Sequence, residues 1–217
     1  MISHLRALLV LLIAALPALA SDARSITVRE RRALTIERGA VWPSHHLRLV
    51  LAYFEGGWAP EAIHSAVRQT AQILGQCGVA IAQAELVLLD APVRYRDFHT
   101  PDSRELARAL PLARPTIYFV AGTRQQPAFD AEAIGRGNSR SRPELTDTVW
   151  IARGARDLGI VLAHELAHVL MDSGDHSEET GNLLREDTAP GNTRLSEAQC
   201  ARLRETATSN GLLQTVR

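Results

Sequence analysis

Apolar and polar positions along the chain divide it into elements. Leu47 to Phe54 reads LRLVLAYF, an alternation that predicts a strand, broken at Gly56-Gly57. Pro60 sits where a first helical turn tolerates proline. Ile63, Val67, Ala71 and Leu74 then recur on one face, predicting a helix over 60–74 that Gly75 and Gly78 end. Two short strands follow, Val79–Ile81 and Leu86–Leu89, then a loop from Tyr95 to Pro101 and a short helix from Asp102 to Leu110, stopped by Pro111. The runs TIYFVA (116–121) and TVWIA (148–152) are rich in β-branched and aromatic residues and predict buried strands. Between them Gly135-Arg136-Gly137-Asn138-Ser139 reads as a flexible rim.

The segment DLGIVLAHELAHVLMDSG is apolar almost throughout, with Asp157 as the expected N-cap and Gly174 as the expected stop. A loop runs from Gly174 to Arg194, and Ser196 opens a final helix, SEAQCARLRETA, with Glu197 in its first turn. This order of elements predicts an α/β (α+β) fold, a twisted mixed sheet packed on two long helices plus a C-terminal helix. Residues 21–44 form a polar, Arg-rich lead-in with weak strand signals at Ile26–Val28 and Leu34–Ile36. The main domain is expected over residues 45–217, its first strand starting near Leu47.

Residues 1–20 read as a secretory signal. Arg6 gives the positive n-region, Ala7 to Leu16 the apolar h-region, and Ala18-Leu19-Ala20 the cleavage site. The apolar run is short for a membrane span and ends at Pro17. The expectation is a secreted or periplasmic protein with no membrane association after cleavage. The 24 basic and 24 acidic residues balance, which removes any general argument for a nucleic-acid partner. Every basic residue is Arg, a compositional bias rather than a device. Two cysteines, Cys77 and Cys200, in an exported chain predict a disulfide tying a helix near the start of the domain to one at its end.

The candidate chemistry lies in His164-Glu165-Leu166-Ala167-His168, followed by His176. Helical residues four apart share a face, so His164 and His168 present two imidazoles to one point where Zn2+ can sit. Glu165 is placed to act on a metal-bound water as general base. A hydrolytic zinc site needs three protein ligands and one open position, and His176 supplies the third.

The stretch HELAHVLMDSGDHSEETGNLL, His164 to Leu184, resembles the metzincin zinc endopeptidases, in particular matrixin-like bacterial secreted members. That family carries HExxHxxGxxH on its active-site helix and, a few residues later, a tight turn with a methionine beneath the metal. Asn182-Leu183-Leu184 matches the turn. Two departures stand out. The position of the family's third His is Gly174 here, and a two-residue insertion brings His176 into that role, with Asp175 as fallback. Leu184 replaces the turn methionine, a swap of similar volume. Gln76-Cys77-Gly78-Val79 faintly resembles the matrixin cysteine switch, a competing reading of Cys77. The family's tyrosine beyond the turn has no counterpart, since Tyr118 is the last Tyr, and the sequence does not rank His99 or Arg136 as substitutes.

The resemblance implies a secreted zinc-dependent endopeptidase acting on a protein or peptide substrate, with a zinc-activated water, Glu165 as base and His164, His168 and His176 as ligands. It also implies that a sheet edge upstream of the helix, between Thr116 and Ala152, holds the substrate extended. Two alternatives stay open. One is a gluzincin-like peptidase with Glu186 as third ligand. The other is a non-catalytic exported zinc-binding module.

Overall fold

The computed structural model describes residues 25–36 and 42–216. The secretory signal expected over residues 1–20 lies outside them. No helix among the described residues is long and apolar enough to cross a membrane.

The frame is a seven-stranded mixed sheet. Its centre is parallel: β2 (His45–Phe54) pairs with β3 (Val79–Asp90) on one side and β5 (Thr116–Val120) on the other, and β5 pairs with β8 (Thr148–Ala152). These strands are covered on both faces, which is why their sequences are near-continuous apolar runs. Leu47, Leu49, Leu51 and Tyr53 of β2 join one core, and Val50, Ala52 and Phe54 the other. Ile117/Phe119 and Tyr118/Val120 of β5 divide the same way, as do Val149/Ile151 and Trp150/Ala152 of β8. The Tyr118 and Trp150 rings stack with centroids 4.1 Å apart.

Antiparallel strands close both ends. β1 (Thr27–Leu34) pairs with β3, and β7 (Ala131–Ile134) pairs with β8. The polar segment read as a lead-in therefore supplies an edge strand. Its mostly exposed TVRERRAL is what an edge allows, with Arg29 and Arg31 meeting Glu55 and Glu85. β3 is one strand where two short ones are expected; a register shift against β2 at Leu47/Arg48 absorbs its polar middle. The loop expected before the short helix holds β4 (Asp97–Phe98), which pairs with β6 (Gly122–Thr123). β9 (Leu213–Thr215) pairs with the start of β2.

Helices α1 (Pro60–Gly75), α3 (Leu158–Met171) and α4 (Glu197–Ser209) contribute to one core, and the short α2 (Thr100–Ala109) to the other. In α3 every residue except Leu158 and Glu165 is buried, the expected fate of a helix apolar all round. α1 packs against it at Gly159, whose carbonyl accepts a 3.0 Å bond from the Thr70 hydroxyl. Ser196 caps α4 in a capping box with Gln199.

Two expected helix ends differ. Asp157 precedes α3 but sits in the left-handed region and makes no capping bond. The helix ends at Asp172, also left-handed, before Gly174 is reached. The Cys77–Cys200 disulfide is present, with Cα atoms 4.9 Å apart, and joins the turn after α1 to α4. Arg204 of α4 donates to the Cys77 carbonyl at 2.9 Å across the same junction. Cys77 is held in this bond, away from the switch role.

Candidate metal centre

α3 sets two imidazoles on one face. His164 and His168 are buried at the floor of a cleft, one turn apart. Nδ1 of His164 faces the Leu183 carbonyl at 2.7 Å, and Nδ1 of His168 faces the Ser173 carbonyl at 2.7 Å. A carbonyl oxygen only accepts, so both Nδ1 atoms carry the proton and both rings present a bare Nε2. Those Nε2 atoms lie 2.9 Å apart. Two lone pairs at that distance repel, and a cation shared between them removes the repulsion.

His176 comes from the solvent side, in the loop after α3. Its ring centroid lies 5.6 Å from that of His164 and 5.0 Å from that of His168. One ligand atom from each of the three falls within 4.8 Å of the others. Burial holds His164 below the usual histidine range, and burial with the neighbouring His164 ring pushes His168 down to about 4. Neutral imidazoles are the ligand form, so the donor set fits a divalent metal of the zinc type.

The competing ligands are elsewhere. The Asp175 carboxylate accepts from the Ser173 hydroxyl at 2.6 Å and pairs with Arg202 at 3.3 Å. Glu186 lines the cleft but is not among the converging ligand atoms. His99 is bonded to Asp102 at 2.8 Å, and Arg136 donates to the Asn210 carbonyl at 2.7 Å; neither lines the cleft.

The turn beneath the histidines is built by its own side chains. Asn182 Oδ1 accepts from the Leu184 amide at 3.0 Å, and Asn182 bonds Gln199 of α4. Leu183 and Leu184 are buried in the same core as α3. This turn delivers the carbonyl that orients His164, a main-chain contact with no side-chain signature in the sequence.

The cleft measures about 690 Å³ and runs between the histidines and β7. Ala131, Glu132 and Ala133 of β7 line it, with Gly135, Gly137 and Asn138 of the rim. Glu165 opens onto the same space. Although part of its surface reaches the cleft, desolvation by the surrounding protein and the nearby Glu132 carboxylate push its carboxyl up to about 8. Glu132 lies 3.5 Å from Arg142, which partly offsets its own burial. Among the described residues β7 pairs with β8 on one side only, and its other edge is unpaired.

No protein-family model and no curated protein matches the sequence. Among solved structures the fold is similar to that of metalloproteinase-II from Bacteroides fragilis, with a TM-score of 0.54 and 17% identity. The match covers 81% of this chain and 57% of that one, so the chain spans less than two thirds of its length. The likeness is one of fold: a mixed sheet with helices in a metalloproteinase-like arrangement.

Proposed function

We propose that the protein is an exported zinc-dependent endopeptidase, with His164, His168 and His176 as metal ligands and Glu165 as general base. The observation that carries this reading is the convergence of three imidazoles beside Glu165, in a cleft bounded by an antiparallel sheet edge that is unpaired among the described residues. The fold likeness to a bacterial metalloproteinase is consistent with it.

When bound, zinc polarises a carbonyl oxygen and lowers the pKa of water. The chain's own residues supply the rest. Leu183 and Ser173 carbonyls fix the ring orientation of His164 and His168. The free edge of β7 offers main-chain donors and acceptors to an extended peptide, and the small Ala131 and Ala133 leave room for it. Glu165 accepts a proton from the attacking water at its carboxylate and returns it to the leaving amine.

The test is digestion of a denatured protein mixture by purified protein, with a chelator and after zinc is restored. Cleavage that stops with chelator and returns with zinc supports the reading. Stoichiometric zinc binding without cleavage would favour the non-catalytic module instead.

A further inference from the structure

Asp172 ends α3 with φ 47° and ψ 48°, a conformation that glycine or asparagine adopts more readily than aspartate. The side chain has a use there. Its Oδ1 accepts the Gly137 amide at 2.6 Å, joining the end of α3 to the rim where both line the cleft. The rim closes tightly on that oxygen: a Cβ at Gly135 or Gly137 would stand 3.3 or 3.4 Å from it.

The position gives this contact leverage. Gly135 directly follows Ile134, the last residue of β7, so fixing the rim fixes the end of the free edge. On the rim's other side Arg136 donates to the Asn210 carbonyl and lies 3.5 Å from the buried Asp147. Consecutive rim residues are thus tied to different parts of the fold. Asp172 also stands one turn beyond His168, and the adjacent Ser173 carbonyl orients that ring. The last turn of α3 therefore holds both a histidine of the triad and the rim of the cleft.

We infer that Asp172 is a positioning residue whose carboxylate clasps Gly137 and sets the separation between the β7 edge and the histidine triad. Its effect on turnover rests on the peptidase reading; the clasp itself does not. The residue touches no reacting atom, so its loss acts on how an extended substrate is held rather than on proton transfer.

Three measurements on Asp172→Gly and Asp172→Asn test this. Glycine removes the carboxylate while relieving the left-handed backbone, so melting temperature and metal content should stay at or above wild-type values. Amide exchange across residues 135–139 should rise roughly tenfold, the scale of losing one charge-assisted hydrogen bond. KM for an extended peptide should rise about tenfold with kcat within about twofold. Asparagine keeps an acceptor oxygen and tolerates the backbone, so it should restore both exchange and KM. Unchanged exchange at Gly137 in Asp172→Gly, or failure of asparagine to restore it, overturns the clasp. A kcat loss with unchanged KM overturns the positioning role. If wild-type protein cleaves no peptide, the peptidase reading fails, while exchange still decides the clasp.

Discussion

His164 donates from Nδ1 to the carbonyl oxygen of Leu183, 2.7 Å away and 19 residues further along the chain. That bond couples the His164 imidazole on α3 to a turn that α4 holds in place through Asn182 and Gln199. The site is thereby assembled from three separated pieces of chain.

Metal binding is expected to need all three imidazoles. His176→Ala should lose most of its zinc, whereas Asp175→Ala should keep about one equivalent, because Asp175 is occupied by Ser173 and Arg202. Metal analysis after dialysis against a weak chelator checks both. Normal zinc in His176→Ala would remove it from the ligand set.

Glu165→Gln keeps the shape of the residue and removes its proton-accepting capacity. Zinc content should stay near wild type and peptide hydrolysis should fall by at least ~10²-fold. A steady-state assay beside metal analysis separates the two effects. Hydrolysis at the wild-type rate would rule out Glu165 as the base.

The disulfide spans 123 residues of sequence and joins two elements of the core. Replacing both cysteines by alanine should cost about 2–5 kcal/mol in denaturant unfolding. Zinc binding should survive in the folded fraction, since neither cysteine lines the cleft that holds the triad. An unchanged unfolding midpoint would show that the crosslink adds nothing.

Gly159 is the contact point of α3 with α1. A Cβ there would lie 2.3 Å from Gln69 Oε1 and 2.6 Å from Gln69 Cβ. Gly159→Val should destabilise the protein by about 1–3 kcal/mol, measured by thermal or chemical unfolding. Gln69→Ala should relieve this only in part, because the Cβ of residue 69 remains in the way.

His168 is pushed down to about 4 when folded, against an ordinary value of 6.5. Between those values the unfolded chain binds the proton and the folded chain does not. Stability from this residue is therefore full above pH 6.5 and is lost as pH falls towards 4. In chelator-treated protein the melting temperature should decline over that window, and His168→Gln should decline less steeply. Equal slopes would show that His168 does not drive the loss.

Long apolar patterns made much of the fold legible. α1, α3, β2, β5 and β8 were readable because core strands and a buried helix need continuous or periodic apolar residues, and local sequence carries that need directly. The pair His164/His168 followed for the same reason, since helix geometry alone puts them together. Cys77 and Cys200 were paired by parity and compartment. β7 was missed: AEAI is short and half-buried, and it is a strand only because β8 offers an open edge. β1 falls in the segment read as a polar lead-in with only weak strand signals; an edge exposed to water accepts that composition.

The sequence by itself determined the helix, the i, i+4 pair, the adjacent Glu165 and a short list of third ligands. Only the tertiary structure decided which of them converge. His176 reaches the pair because the loop after Asp172 folds back over α3, while Asp175 turns to Arg202. It also decided where the helix stops: Asp172 takes the left-handed position in place of the expected Gly174, since its carboxylate finds Gly137 of the rim. The carbonyls of Leu183 and Ser173 belong to the same class. Every residue has a carbonyl, so one that orients a ligand is set by where the chain runs, and no residue type announces it.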